Sequence, residues 1–178
     1  PVRTTPVTDH LVISPADGRV LSTGVVEVPD DLNLPDGEWR RISIFMNVFD
    51  VHVNRAPVAG KVVDTTYHEG AFLNASLDKA SAQNERQNMV LETKSGQKIG
   101  VVQIAGLVAR RILLEAATGD YLNVGQQYGI IRFGSRVDVW IPAEKPVLIL
   151  AGQTTIAGET ILADLSGTNA EITEAVCR

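Results

Sequence analysis

The sequence predicts a mainly β fold, a compact β domain of quasi-duplicated halves with one or two short helices, and three observations carry that expectation. Fifteen Gly and eight Pro among 178 residues space turns closely along the chain. Aromatic residues are only 5% of the total, so Val, Ile and Leu must fill the interior, and β-branched side chains favour strands. The apolar segments are also short and punctuated, without sustained helical period. The length suits one domain spanning 1–178. With 44% hydrophobic and 21% charged residues, the chain is neither disordered nor collagen-like.

Taken in order, Leu11–Ser14 and Gly18–Val28 read as strands on either side of a Pro-Ala-Asp turn. Asp30–Glu38, with Pro29 and Pro35 nearby, reads as an exposed acidic loop. Arg41–Phe45, Val51–Asn54 and Gly60–Thr66 follow as strands. Ser76–Asn88 is the one helical segment, with Ser76 as its cap. Val90–Lys94 and Gly100–Ile104 return to strand, and Leu107–Leu114 fits a strand or a short helix equally well. Tyr128–Phe133, Arg136–Ile141 and Val147–Ala151 complete the set. Of these, Arg136–Ile141 alternates polar and apolar residues as a half-buried strand does.

A weak repeat runs through these elements. Gly119–Gly125, Gly152–Gly158 and, more loosely, Gly70–Ala75 each place an apolar pair between a glycine and a small residue. The pattern resembles the glycine corners of lipoyl- and biotinyl-like domains, which points to a barrel-sandwich-like β domain.

Charge excludes more than it identifies. A net charge of −5 disfavours a general nucleic-acid binder. The 11 Arg against 5 Lys still suit a local phosphate or carboxylate site. No apolar run approaches the roughly 20 residues of a membrane span. Cys177 is the single cysteine, which excludes an internal disulfide and a cysteine-cluster zinc site, and reads as an incidental thiol. The chain opens at Pro1 without an initiator Met, so an upstream piece is expected to have been removed.

Three candidate sites stand beside plainer readings. His10 and His68 sit among polar residues and read as surface groups. His52 lies in Asp50–Asn54, where an extended strand puts Asp50, His52 and Asn54 on one face. A carboxylate there can orient the imidazole and favour its protonated form; a structural histidine and an acid–base group are equally open. Asp17, in Ser14–Gly18, reads first as a turn residue. Gly134–Ser135 reads as an ordinary turn between strands, although Arg132 and Arg136 flank it and could hold an anion.

Five segments occur in one order: Ser14–Arg19, Phe45–Pro57, Asn74–Ala80 with Asn84–Arg86, Gln103–Arg111 and Phe133–Arg136. From Pro1 to about Asp164 this order closely resembles the short, bacterial and archaeal form of phosphatidylserine decarboxylase. The resemblance implies a precursor that cleaves itself at Gly134–Ser135, giving a β chain of 1–134 and an α chain of 135–178. Ser135 would become a covalent pyruvoyl group, the sole cofactor, with no metal and no pyridoxal phosphate. That group would form a Schiff base with the serine headgroup, and CO₂ would leave to give phosphatidylethanolamine.

The same resemblance implies catalytic roles for Ser135, His52 and Asp17. Asp50, Asn54, Arg55, Arg132 and Arg136 become candidate contacts to the substrate. One departure is visible: longer family members carry a second histidine where this chain has Arg55. The implied partners are phosphatidylserine in the membrane, the two chains of one precursor and a second copy in a homodimer. The implied location is the cytoplasmic face of the inner membrane, peripheral once an apolar N-terminal segment is missing. Two alternatives stand: a decarboxylase of archaetidylserine or another serine-headed lipid, and a non-catalytic barrel-sandwich binding module.

Overall fold

The computed structural model describes residues 1–108, 111–132, 134–174 and 176. Cys177 and Phe133, the expected end of one strand, lie outside them. In chain order the elements are β1 (Leu11–Ile13), β2 (Gly18–Ser22), β3 (Trp39–Met46), β4 (Val53–Arg55), β5 (Gly60–His68), α1 (Ala80–Gln83) and β6 (Arg86–Glu92). They continue with β7 (Lys98–Ile104), β8 (Ile112–Leu114), β9 (Tyr121–Leu122), β10 (Gln127–Ile131), β11 (Ser135–Pro142), β12 (Thr154–Thr155) and β13 (Ile161–Asp164). The mainly β expectation holds.

An eight-stranded sheet in the order β12-β2-β3-β11-β7-β6-β5-β9 organises the molecule, with every pairing antiparallel. Two smaller sheets, β4-β10-β8 and β1-β13, close over one of its faces. The main apolar core lies between: Ile42 and Ile44 of β3, Val137 and Val139 of β11, and Val101 of β7 meet Tyr128 and Ile131 of β10. A smaller cluster on the opposite face gathers Trp39, Val102, Ile104 and Trp140 under Leu32. Strand alternation explains the division, since successive side chains of β11 must go to opposite faces.

The repeat has a structural counterpart. Gly119–Gly125 and Gly152–Gly158 are each a turn, a two-residue strand and a turn, opened and closed by glycines at positive φ. Their strands, β9 and β12, are the two outer edges of the large sheet. Gly70–Ala75 does not follow them: Ala71 makes only a single bridge, to Asn84.

The helix is shorter than expected. Only Ala80–Gln83 is α-helical, and its N-cap is Lys79 without a side-chain cap. The Ser76 hydroxyl instead donates to Asn74 Oδ1 at 2.8 Å. From Arg86 onward the chain is taken by β6, which fills the slot between β5 and β7. Val147–Ala151 is not a strand; it offers one bridge, Val147 to Ala163. The acidic loop is not wholly exposed either. Leu32 is buried, and Arg86 and His68 both reach Asp31, the latter at 3.1 Å.

Candidate functional site

The antiparallel order β2-β3-β11-β7 fixes what shares an end of the sheet. The residues before β2 and β11 lie beside those after β3 and β7. Asp17, Asn47, Gly134 and Ala105–Gly106 therefore gather at one end. There Ser135 opens β11 opposite Met46, and Arg136 stands opposite Ile104.

Ser135 is fully buried, and its Oγ has no hydrogen-bond partner among the described residues. The residue before it, Gly134, has φ +66°, a left-handed conformation that costs an L residue with a Cβ roughly 1–2 kcal/mol. Opposite lies Gly106, where a Cβ would stand 1.7 Å from the Gly134 carbonyl oxygen. Glycine at 134 is thus set by conformation and at 106 by space. The Gly–Ser turn is ordinary in sequence but not in structure, because its hydroxyl faces the interior.

His52 reaches the same end through β10: the Ile131 N–H donates to the His52 carbonyl at 3.2 Å. Its imidazole is half-buried, and burial lowers its pKa from the ordinary value of 6.5, against the opposing pull of Asp50 and of the Asn47 backbone. Asp50 does favour the protonated form, as expected, but desolvation is the larger effect and sets the net direction. The one-face register of Asp50, His52 and Asn54 is corrected. Strand β4 begins only at Val53, and Asp50 folds back in a turn, accepting from the Asn47 N–H at 2.8 Å. Asn54 is fully buried, donating to Met46 Sδ at 3.6 Å and accepting from Gln103 Nε2 at 2.9 Å.

The Asp17 carboxylate is held on both oxygens, by Arg3 Nη2 at 2.7 Å and by the Ala157 N–H at 2.7 Å. The three candidate arginines differ sharply. Arg132 is exposed. Arg55 is buried, donating to the carbonyls of Gly125 at 2.9 Å and Pro1 at 2.7 Å, and so pins the N-terminus to a turn. Arg136 lies on the far face from Ser135, as alternation requires. Its guanidinium makes a two-pronged ion pair with Asp138, both bonds 2.8 Å, and also donates to Ser81 and to the carbonyls of Ala75 and Leu77. Every nitrogen of Arg136 is engaged within the protein, so it ties the 75–81 segment to the sheet. Gln103, quoted in the sequence only as part of a motif, belongs to this site; a glutamine inside the apolar strand β7 was the available signal.

Among the described residues no group of three or more His, Cys, Asp or Glu could hold a metal, and no helix is long and apolar enough to cross a membrane. A groove of about 580 Å³ is lined by residues between Val25 and Trp39 and does not include Ser135.

Fold and junction together define a class: a small antiparallel β protein whose serine follows a left-handed glycine and turns its hydroxyl inward, suited to attack on its own backbone. The phosphatidylserine decarboxylase family model matches residues 1–163. The phosphatidylserine decarboxylase proenzyme of Xanthobacter autotrophicus is 54% identical over 166 residues, which cover 93% of this chain and 71% of that protein. The chain belongs to the phosphatidylserine decarboxylase family.

Proposed function

We propose that the chain is the proenzyme of a pyruvoyl-dependent phosphatidylserine decarboxylase that cleaves itself between Gly134 and Ser135. One observation carries the reading: a fully buried serine hydroxyl without a partner among the described residues, immediately after a glycine at φ +66°. Ser135 gives up its hydroxyl proton and Oγ bonds to the Gly134 carbonyl carbon. The Gly134–Ser135 C–N bond breaks, and the nitrogen takes a proton. A base then removes the Ser135 α-proton as the Gly134 carboxylate leaves, and water releases the nitrogen as ammonia. Glycine at 134 leaves the carbonyl carbon open to attack, and the serine needs a base close by.

His52 is the base this reading favours, because its lowered pKa keeps it neutral at pH 7. Asp17, held by Arg3 and Ala157, supports the same end of the sheet through its fixed carboxylate. The residues present fit the pyruvoyl group, which would form from Ser135 itself, the residue opposite Met46 at the start of a central strand. That group supplies an electron sink for loss of CO₂ from the serine headgroup. The chain's part is to exclude water by burying residue 135, and to return a proton to the substrate carbon, a task suited to His52. Of the three candidate arginines, Arg132, exposed beside the junction, is the one available to a lipid phosphate.

Peripheral docking on the cytoplasmic face of the inner membrane completes the proposal. Phe49 (94% exposed), Leu107 (60%) and Val108 (64%) project at the end of the sheet that holds Ser135, with Arg111 and Arg132 exposed nearby. Apolar tips beside cations suit an anionic lipid surface. The test is the intact mass of the purified chain under denaturing conditions. Two fragments, 1–134 and 135–178, are expected from the wild type and one chain from Ser135→Ala. A wild type that stays whole while folded would overturn the reading.

A further inference from the structure

The interior above Ser135 is not wholly apolar. Met46, opposite Ser135 on β3, and Gln103, opposite Val137 on β7, flank the start of β11 on its two sides. Ser135 and Val137 share a face of β11, so Met46, Ser135 and Gln103 all turn toward the main core. Asn54 contacts both outer members, Met46 Sδ at 3.6 Å and Gln103 Nε2 at 2.9 Å. Its carboxamide therefore bridges β3 to β7 across the top of β11, over the segment that Ser135 begins. All four residues are at most 1% exposed.

Two polar atoms on this face lack partners among the described residues: Ser135 Oγ and Gln103 Oε1. One can donate and the other can only accept. A buried polar group without a partner is uncommon and calls for an explanation. Ser135 and Gln103 are diagonal neighbours on adjacent strands, roughly 7–8 Å apart in such pairs, a gap that a glutamine side chain spans. The Gln103 amide is also oriented: its nitrogen is committed to Asn54 Oδ1, which leaves the oxygen for something else.

We propose that Gln103 is a positioning residue for self-cleavage: its Oε1, not bonded to Ser135 Oγ in this structure, closes on the Ser135 hydroxyl hydrogen before attack while Asn54 holds the carboxamide in place. The contact directs an oxygen lone pair toward the Gly134 carbonyl carbon. A carboxamide oxygen is too weak a base to keep the proton, so Gln103 sets direction and the base remains elsewhere. The inference rests on cleavage at Gly134–Ser135 and adds to it the group that aims the nucleophile.

The test follows cleavage of freshly refolded full-length chain by intact mass, at several pH values, with a melting curve for each variant. Gln103→Met keeps the volume and removes the acceptor; it should fold and cleave roughly 10–100-fold more slowly, the scale of a small misalignment of reacting atoms. Gln103→Glu keeps an acceptor oxygen that titrates, so its cleavage should exceed that of Gln103→Met and, taken as a ratio to wild type, rise with pH as the carboxyl ionises. Mere packing would leave that ratio unchanged with pH. Wild-type speed from Gln103→Met, or a Gln103→Glu rate as slow as that of Gln103→Met at every pH, would overturn the proposal. Should Gln103→Met fail to fold, a Gln103→Glu rate that keeps a constant ratio to wild type at every pH overturns it equally. A folded wild type that never cleaves fails differently: it removes the self-cleavage reading itself, whatever the variants do.

Discussion

Strand β11 presents two faces that do opposite work. Toward the main core it shows Ser135, Val137, Val139 and Ile141; toward the other side, Arg136, Asp138 and Trp140. On the second face the polar groups of β11 itself are saturated, with Arg136 clamped to Asp138 and to the 75–81 segment, although Ser43 Oγ on the neighbouring strand has no partner among the described residues. Near the start of the first face two polar atoms, Ser135 Oγ and Gln103 Oε1, have no partner among the described residues. Ser135 and Arg136 are neighbours in sequence, yet the pleat sends one to chemistry and the other to structure. Adjacency along a strand therefore says little about membership of a site.

The contrast can be broken most severely at Ser135. Ser135→Ala should abolish cleavage and decarboxylation and leave one folded chain, read by intact mass and by CO₂ release from phosphatidylserine micelles. His52→Ala comes next, with cleavage slowed by ~10²–10⁴, the usual cost of one acid–base group. The sign of its pH dependence follows from burial. A base must be neutral, and the His52 pKa lies below 6.5. As pH falls, the wild-type cleavage rate should hold through 6.5 and drop only beneath it; a midpoint at or above 6.5 would exclude His52 as the base.

Arg136→Met sharpens the same comparison from the other face. It leaves the buried Asp138 with only Arg41 Nε, 4.0 Å away, and should cost about 3–5 kcal/mol in urea unfolding, while the fraction still folded cleaves. Loss of cleavage in well-folded Arg136→Met protein would erase the division between the faces. Gly134→Ala is gentler, about 1–2 kcal/mol, because only φ is strained and the space around its Cβ is open. Phe49→Ser should have the smallest effect on the fold, leaving stability and cleavage unchanged while weakening sedimentation with anionic vesicles.

Much of this architecture is legible in the sequence wherever side-chain alternation decides. Arg136–Ile141 reads directly as a strand because a two-residue period has one structural meaning, and β11 includes all of it. Ser76–Asn88 does not read correctly, since its helical composition competes with a vacancy between β5 and β7 that only tertiary structure defines. The site divides in the same manner. The Gly134–Ser135 junction is visible once five segments fall into order, but its buried hydroxyl is not. Asp50 and His52 are misread as one strand face because the Asn47 N–H captures the Asp50 carboxylate and turns the chain. Gln103 passes unnoticed because its partner Asn54 is 49 positions away in sequence.

The placement of the junction also decides what a cut does to the molecule's history. Strand β11 is paired on both sides, with β3 and β7, and β13 at the far end of the same piece pairs with β1. Breaking the bond before Ser135 therefore releases nothing; it turns a strand in the middle of the sheet into a separate, fully embedded molecule. Before the cut, refolding is a first-order event whose rate ignores dilution. Afterwards two chains must meet before the sheet can close, so recovery from denaturant becomes second order and slows with dilution. The mature form then depends on synthesis as one chain to be assembled efficiently, whereas the proenzyme carries every strand of the sheet in a single molecule.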